Sequence, residues 1–453
     1  MPLTPSTLNH TAPSWRDIAR ACTDPRVLHI GLLGFSSGLP LLLVFGTLSF
    51  WLREAGIDRT TIGLVSWVAL TYAFKVFWSP LVDHLQLPVL SRWLGRRRSW
   101  LLLSQGAIML GLLGMGLTDP TQHLHLLIGL ALWVALFSAT QDLVIDAYRI
   151  EVADPQFQGI LASVYTTGYR LAMLLASGGA LGIAAWFDPD ATSYHHLPWA
   201  VTYACMAAAM LPGLLTSWWA PEPAINGPTP TPDAVQSRLH RLHHWLMTAV
   251  WQPFADFIQR YGGLALLILA LIASYRVSDI VLGVIANVFY HDMGFSKAEI
   301  AWVAKGFGIY MTILGGLLGG LAVYRLGVMP MLLLGAILAA ATNLLFLWLT
   351  QVGPEVGWLI AVVGMDNLSA GLASAAFIAY LSALTNVAYS ATQYALFSSL
   401  MLLLPKFLGG FSGVMVDQSG YPAFFILTAS LGLPVTGLVL LAWRYTQVTL
   451  PPR

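Results

Sequence analysis

The chain has 453 residues, of which 57% are apolar and only 9% are Asp, Glu, Lys or Arg. That charge content is about a third of what a soluble domain carries, which excludes a soluble globular enzyme and a disordered protein. The 22 basic and 21 acidic side chains nearly cancel and only two cysteines are present, which excludes nucleic-acid binders and disulfide scaffolds. The composition therefore predicts an all-helical membrane protein with many spans.

Apolar stretches bounded by charged residues, Pro or Gly predict twelve membrane-spanning helices, each of which needs about 20 apolar residues. The predicted spans cover residues 27–51, 60–83, 98–118, 124–150, 158–187, 197–219, 263–290, 298–324, 328–350, 356–384, 390–417 and 421–446. The first 25 residues are polar, so we expect no cleaved signal peptide and a first span that stays in the membrane.

A Pro-rich segment after the sixth span divides the spans into two groups of six. We predict a cytoplasmic segment over 1–26, an N-terminal six-helix bundle over 27–219, a cytoplasmic linker with an amphipathic helix over 220–262, a C-terminal six-helix bundle over 263–447 and a tail over 448–453. The turn at 56–62 is similar to the turn at 294–300, which indicates an internal duplication. Two such halves around a midplane site are a common organisation of secondary transporters.

The distribution of Lys and Arg predicts the orientation, because cytoplasmic loops carry an excess of these residues. With the N-terminus inside, fourteen of the 22 basic residues fall on the cytoplasmic side and three on the opposite side. Both termini are therefore predicted to be cytoplasmic. The other five basic residues fall within the spans: Lys75, Arg170, Arg276, Lys305 and Lys406.

Two acidic residues of the fourth span, Asp142 and Asp146, are candidates for proton coupling. They are four residues apart and share one face of the helix. Because a low-dielectric wall disfavours two ionised carboxylates, one of them could exchange a proton at working pH. The alternative is that Arg149, three residues after Asp146, pairs with it and locks an inner gate.

Intramembrane cations are costly, so each is a functional candidate. Arg170 and Lys406, followed by Lys75, are the best candidates for binding a substrate carboxylate, which Arg binds through two parallel hydrogen bonds. A cavity lined in this way suits an anionic substrate.

The remaining buried charges have two interpretations. Arg276 is a candidate substrate contact, but it lies three residues before Asp279 on the seventh span and could be neutralised by it. Lys305 and Asp366 could likewise form an internal ion pair between spans.

Aromatic and amide side chains within the spans fit a sugar-binding wall, because an apolar surface with a few polar groups is typical of small-molecule sites. The candidate contacts are Trp78, Gln141, Tyr165, Tyr169, Asn367 and Gln393, with Tyr275, Tyr380 and Tyr394 as further aromatic residues. The alternative for any single aromatic residue is packing or anchoring at the membrane interface.

The loop after the second span resembles the signature of the major facilitator superfamily, Gly-x-x-x-Asp-Arg-x-Gly-Arg-Arg. It reads Ser79-Pro80-Leu81-Val82-Asp83-His84 and, after a nine-residue insertion, Gly95-Arg96-Arg97-Arg98. The resemblance implies that Asp83 and the three arginines latch the two halves together on the cytoplasmic side. Ser79 and His84 depart from the Gly and Arg of the signature.

Four further blocks resemble the AmpG-type muropeptide permeases: residues 35–40, 97–105, 138–151 and 390–400. Membership would imply a bacterial inner-membrane carrier that imports N-acetylglucosaminyl-1,6-anhydro-N-acetylmuramyl peptides from periplasm to cytoplasm for peptidoglycan recycling, driven by protons. Such peptides carry carboxylates, in agreement with the cation-rich cavity. Related acetyl-coenzyme A transporters share parts of these motifs and also carry an anionic cargo.

We therefore predict a proton-coupled carrier that works by alternating access, as a monomer, without cofactor, metal or nucleic acid. One alternative is a Mg²⁺-dependent intramembrane transferase that uses Asp142 and Asp146 as metal ligands, although such enzymes need a further acidic cluster. The other is a non-transporting sensor built on the same fold, which would bind its ligand without uptake.

Overall fold

The computed structural model describes residues 23–57, 61, 65, 68, 70–154, 157–188, 193–223, 251–409 and 411–449. The predicted N-terminal segment before residue 23, the amphipathic part of the linker between 224 and 250 and the tail after 449 lie outside these residues. Within the described part, all regular structure is helical.

We label the spans α1 to α12 in chain order. They are α1 Pro25–Glu54, α2 in the pieces Leu70–Phe74, Lys75–Phe77 and Ser79–His84, α3 Arg96–Leu117, α4 Pro120–Val152, α5 Gln158–Phe187, α6 His196–Trp219, α7 in the pieces Leu264–Ser274 and Val277–Asp292, α8 in the pieces Lys297–Ile300, Ala301–Phe307 and Gly308–Leu326, α9 Val328–Val352, α10 Val356–Leu384, α11 Ser390–Gly409 and α12 Ser412–Thr449. Short helices at Leu90–Leu94 and Gln252–Tyr261 lie between spans.

Eleven helices of the described chain are long and apolar enough to cross a membrane, and α2 is described only in pieces. The prediction of an all-helical membrane protein is confirmed. The predicted boundary at 417–421 coincides with Gly420, where a φ of 75° interrupts the helix within α12. An additional break separates Gly409 from Ser412.

Close helix contacts inside each half depend on glycine. A Cβ on Gly34 or Gly38 of α1 would overlap the backbone of Tyr165 or Tyr169 in α5. In the C-terminal half, a Cβ on Gly315 of α8 would likewise overlap the backbone of α10. Small residues therefore let these helices approach closely, as they do in many membrane bundles.

The two halves meet through helices of both bundles. α5 packs against α8, and α11 packs against α2 and α4. Ser163 of α5 donates a hydrogen bond to the Gly316 carbonyl oxygen of α8 at 2.6 Å, and a Cβ on Gly320 would overlap this serine. This packing positions the polar residues of α4 and α5 opposite those of α7 and α10.

Candidate functional site

The acidic pair of α4 lies in a hydrogen-bonded pocket of the N-terminal half. The Ser37 hydroxyl of α1 donates to Asp142 Oδ1 at 2.5 Å, and the Tyr165 hydroxyl of α5 lies 2.9 Å from Ser37 Oγ. Asp142 and Asp146 are 9% and 8% exposed, and Lys75 of α2 is close enough to interact electrostatically with both. The predicted carboxylates and Lys75 are thus brought together.

Arg149 connects the acidic pair to the other half of the molecule. Its guanidinium is fully buried, lies 3.6 Å from Asp146 and donates to Ser382 Oγ of α10 at 2.8 Å. The same group lies 5.3 Å from the centre of the Tyr394 ring of α11. Asp146 therefore has a cationic partner that also contacts the C-terminal half, which matches the gate interpretation of this pair.

Two neighbours of the acidic pair differ in how their polar groups are satisfied. Trp78 Nε1 donates to Thr140 Oγ1 at 3.1 Å, so this ring is tied to α4. Gln141 is fully buried, and both polar atoms of its amide have no hydrogen-bond partner among the described residues. A buried amide without partners is costly, so Gln141 is a group that a bound ligand could satisfy.

The cations at the same level along the spans as Asp142 come from both halves. Arg276 of α7 forms an ion pair with Asp279 at 2.7 Å and donates to Ser374 Oγ of α10 at 3.1 Å. Arg170 of α5 is close enough to interact electrostatically with both members of this pair, and its buried Nε has no hydrogen-bond partner in the described chain. Two arginines and one carboxylate therefore face each other across the two halves.

These groups lie near the middle of the spans, and we call the region around Asp142, Arg170 and Arg276 the central site. At a rise of 1.5 Å per residue, Asp142, Arg170 and Arg276 are each about 15 to 18 Å from the nearer ends of α4, α5 and α7. This is about half the thickness of the hydrocarbon core. Lys406 is exposed and lies about 24 Å from the start of α11, so it is displaced from the level of the two arginines.

The remaining candidates of the C-terminal half have partners in their own bundle. Asp366 accepts a hydrogen bond from Thr342 Oγ1 at 3.2 Å, and the Asn367 amide accepts one from Thr312 Oγ1 at 2.8 Å. The side chain of Lys305 lies outside the described part of the chain, so its pairing with Asp366 stays a prediction.

Gln393 lies in a different cluster from the one expected. Its amide donates to Asp256 at 2.8 Å and accepts from Arg260 at 3.0 Å, both on the short helix Gln252–Tyr261. It also accepts a hydrogen bond from the Asn386 backbone N–H and donates one to the Pro253 carbonyl oxygen, so both polar atoms of the Gln393 amide have partners. The structure does not bring Gln393 together with the groups around Asp142, because the end of the linker folds back against α11.

A second charged cluster joins the halves at the end of the molecule where α1 begins and α4 ends. Arg97 Nη2 lies 2.7 Å from Asp83 and 2.5 Å from Glu151, and it donates to Ser390 Oγ of α11 at 2.8 Å. Asp83 also accepts from the backbone N–H and the hydroxyl of Thr392, at 2.8 and 2.7 Å. We call these five residues the latch cluster, and the end of the molecule that contains them the latch end.

The geometry of the latch cluster explains why it links the halves. Asp83 comes from α2 and caps the first turn of α11, where free N–H groups and the helix dipole favour a carboxylate. Arg97 and Glu151 come from α3 and α4, so three helices of one half hold one helix of the other. Sequence analysis had assigned the latch to Asp83 and the arginines, and had missed Glu151, Ser390 and Thr392.

The three arginines of the signature loop have different partners. Arg96 donates to the Asp83 carbonyl oxygen at 2.6 Å and lies 3.4 Å from Glu151. The Arg98 guanidinium instead donates to the carbonyl oxygens of Ser217 and Trp218 at the end of α6. The described contacts of the Arg98 side chain therefore lie within its own bundle and do not join the two halves, because successive helical residues point in different directions.

Glu222, just beyond α6, caps the helix that carries these arginines. It accepts hydrogen bonds from the backbone N–H groups of Arg97 and Arg98 at 2.8 and 3.1 Å. Burial raises the pKa of the Glu222 carboxyl, although these two hydrogen bonds and Arg97 oppose the shift. Gly95 has a φ of 85°, and a Cβ there would overlap Glu222, so only glycine suits this position.

Comparisons with known proteins give relatives over nearly the whole chain. The family described as acetyl-coenzyme A transporter 1 matches residues 27–177. The putative transporter AmpG 4 of Rickettsia conorii is 33% identical, over 95% of this chain and 99% of the relative. The anhydromuropeptide permease of Escherichia coli K12 is 34% identical, over 95% of this chain and 82% of the relative.

Solved structures show the same fold. The major facilitator transporter FucP in the outward conformation is similar with a TM-score of 0.67, at 12% identity and over 93% of this chain and 99% of that one. The proton:xylose symporter XylE bound to 6-bromo-6-deoxy-D-glucose gives a TM-score of 0.63, at 14% identity and over 93% and 95% of the two chains. The predicted arrangement of helices is thereby confirmed.

Proposed function

Because this chain belongs to the AmpG family of muropeptide permeases within the major facilitator superfamily, we propose that it imports anhydro-muropeptides across a bacterial inner membrane. It is a multi-pass membrane transporter and not an enzyme. The cargo is a glycopeptide with N-acetylglucosaminyl-1,6-anhydro-N-acetylmuramyl sugars, and it moves from periplasm to cytoplasm for peptidoglycan recycling.

The observation that carries the cargo assignment, together with the relatives, is the pair of arginines at the middle of the spans. Arg170 has a buried Nε without a hydrogen-bond partner in the described chain, and it lies near Arg276, a second cation. A peptide carboxylate would separate and neutralise these like charges, and Arg binds carboxylates through parallel hydrogen bonds. The free amide of Gln141 supports contacts to sugar hydroxyl or acetamido groups.

The latch cluster supports alternating access. If the end with most basic residues is cytoplasmic, the latch closes the cytoplasmic side and the structure corresponds to a carrier that receives cargo from the periplasm. Separation of Arg97 from Ser390 and of Asp83 from Thr392 would free α11 and open the cytoplasmic side. The two halves would then rock around the central site.

Asp142 is the proposed proton carrier. Its neighbour Asp146 has Arg149 as a partner, whereas Asp142 accepts a hydrogen bond from a hydroxyl at 2.5 Å and shares only the nearby charge of Lys75. A carboxylate with a weaker cationic partner in a low-dielectric wall accepts a proton more readily. Asp146 is therefore assigned to the gate and Asp142 to coupling.

Uptake of labelled anhydro-muropeptide into proteoliposomes tests the proposal. We expect accumulation that an inward proton gradient drives and a protonophore abolishes. Asp142→Asn should lose accumulation against a gradient while cargo exchange at equal pH continues. Persistence of proton-driven accumulation in Asp142→Asn would contradict the coupling assignment.

A second candidate cargo is acetyl-coenzyme A, since the matching family description covers residues 27–177. Its phosphates would also bind a site with two arginines. Competition distinguishes the two: unlabelled acetyl-coenzyme A should leave muropeptide uptake unchanged. If it inhibits uptake and is itself accumulated, the cargo assignment moves to the coenzyme.

A further inference from the structure

A chain of two hydroxyl groups connects Asp142 to the central site. Ser37 Oγ lies 2.5 Å from Asp142 Oδ1 and 2.9 Å from the Tyr165 hydroxyl oxygen. Ser37 is 1% exposed, whereas Tyr165 is half-buried. The Tyr165 ring lies 6.1 Å from the ring of Tyr169, which is close enough to Arg170 to interact with it electrostatically, so the chain leads from an enclosed serine toward Arg170. The three groups come from α4, α1 and α5.

The number of hydrogens in this chain determines its direction when Asp142 is ionised. A carboxylate can only accept, so Ser37 must donate its single hydrogen to Asp142. The distance of 2.9 Å between Ser37 and Tyr165 then requires that Tyr165 donates to Ser37. The Tyr165 hydrogen is thereby used inside the protein, and its oxygen offers only lone pairs to the central site.

Protonation of Asp142 reverses the chain. The carboxylic acid can donate to Ser37 Oγ, Ser37 can donate to the Tyr165 oxygen, and the Tyr165 hydrogen becomes free to turn outward. One proton is bound, at Asp142, and the hydroxyl hydrogens only rotate, so no other bond is made or broken. Tyr165 would then donate a hydrogen bond to a carbonyl, carboxylate or sugar oxygen of the cargo.

We propose that Ser37 and Tyr165 report the protonation of Asp142 to the cargo, by converting Tyr165 from a hydrogen-bond acceptor into a donor toward the central site. Ser37 is a positioning residue in this arrangement, and Tyr165 is the group that touches the cargo. Proton and cargo then strengthen each other's binding, since such coupling is reciprocal. The inference rests on the proposed function, in which Asp142 carries the transported proton.

The surroundings of Asp142 determine when the reversal occurs. The titratable and charged groups that act on it are Lys75 and Tyr72 from α2, Asp146 from α4, and Tyr165 and Tyr169 from α5. These groups influence the pH at which Asp142 changes its charge. Ser37 transmits that change, so its removal should uncouple the cargo from the proton without removing the proton site.

Ser36 and Ser37 provide a matched pair of variants for the test. Both serines are buried in α1, but the Ser36 hydroxyl lies 3.7 Å from Met210 Sδ and faces α6 instead of α4. Affinity of the purified full-length protein for a labelled anhydro-muropeptide is measured at about pH 5.5 and about pH 8. In the unmodified protein we expect the cargo to bind about tenfold more tightly at the lower pH. A tenfold change in affinity corresponds to the free energy of about one hydrogen bond.

The variants separate the possible roles. Ser37→Ala and Tyr165→Phe should reduce the ratio of affinities at the two pH values to about one, whereas Ser36→Ala should keep the full ratio. Asp142→Asn removes the group that changes its charge, so its affinity for the cargo should be the same at the two pH values. If Ser37→Ala fails to fold, Tyr165→Phe measures the same ratio.

The outcomes distinguish this inference from the proposed function. If the unmodified protein shows no pH-dependent affinity and no protonophore-sensitive uptake, proton coupling at Asp142 is wrong. Suppose instead that the unmodified protein shows pH-dependent affinity and protonophore-sensitive uptake. If Ser37→Ala or Tyr165→Phe then keeps the same ratio of affinities at the two pH values as Ser36→Ala, the two hydroxyl groups do not link the proton to the cargo. In that second case the inference is overturned while the transport proposal stands.

Discussion

The latch cluster and the central site bury charged residues in opposite ways. At the latch end, Arg97 is 1% exposed and contacts two carboxylates, while Asp83 accepts three hydrogen bonds from the start of α11. At the central site, Arg170 has an unpartnered Nε and a second cation nearby. One region is saturated with internal partners and the other is not.

The difference indicates which region holds a conformation and which receives a ligand. An unsatisfied buried polar group costs about 1 to 3 kcal/mol, and a bound molecule that supplies the missing partner recovers that cost. A satisfied ion-pair network has no such requirement, but breaking it by removing one member is costly. The latch cluster therefore holds the two halves together at the latch end, whereas the central site keeps polar groups that have no partner in the described chain.

The largest expected effect is that of removing the shared cation of the latch. Arg97→Ala would leave the carboxylates of Asp83 and Glu151 buried without their main partner, which should lower the free energy of unfolding by about 3 to 5 kcal/mol and abolish uptake. Thermal unfolding and proteoliposome uptake measure both effects. Arg98→Ala is the control, since Arg98 contacts backbone carbonyl oxygens, and a loss of equal size there would contradict the assignment.

The next effect concerns cargo affinity at the central site. Arg170→Ala should weaken binding of peptide-bearing cargo about tenfold to a hundredfold, because a charge-assisted hydrogen bond to the carboxylate is lost, and should affect the bare disaccharide less. Lys406→Ala should have a smaller effect, since Lys406 is exposed and displaced from the level of Arg170. Equal losses for both cargoes would refute the carboxylate contact.

A smaller effect is expected from one hydrogen bond between the halves. Thr392→Val removes the hydroxyl that donates to Asp83 at 2.7 Å and keeps the backbone N–H bond, so the latch should weaken by about 1 kcal/mol. This corresponds to roughly a fivefold larger open population. Labelling of a cysteine introduced at the latch end would measure it, with Thr392→Ser as the matched control. An unchanged labelling rate in Thr392→Val would exclude a role for this hydroxyl.

The smallest expected effect is a pH dependence of the free energy of unfolding that arises from Glu222, which lies beside the latch cluster. Burial raises the pKa of Glu222, so the folded state binds this proton more readily than the unfolded state. The resulting contribution to stability is present at low pH and is lost as the pH rises through the raised pKa. Glu222→Gln should flatten the stability profile at pH values above the ordinary pKa of a glutamate, where the unmodified protein loses this contribution. A profile that stays parallel to that of the unmodified protein would contradict this assignment.

Much of the central site could be predicted from local spacing. Asp142 and Asp146 share a face because they are four residues apart, and Arg276 reaches Asp279 because they are three residues apart. Contacts that join distant parts of the chain could not be read in this way. Ser37 lies 105 residues before Asp142, and hydropathy gives no reason to prefer it over Ser36.

Gln393 and Arg98 show that residue type also fails to identify the partner of a side chain. Both have the residue type expected at their predicted sites, yet Gln393 is held by Asp256 and Arg260 of the linker helix, and Arg98 by the end of α6. Their roles depend on which helix packs beside them. A helical pattern defines the face that a residue occupies but not the neighbour that the face meets.

The sequence by itself determined the spans, the predicted orientation and the location of the costly charges, because a bilayer requires each span to be long, apolar and internally hydrogen-bonded. The tertiary structure decided which of those charges are paired and which remain available. Arg97 meets Ser390, 293 residues further along the chain, across the contact between the two halves. Such partners depend on how helices pack against each other, and packing arises from the whole set of contacts and not from any one segment.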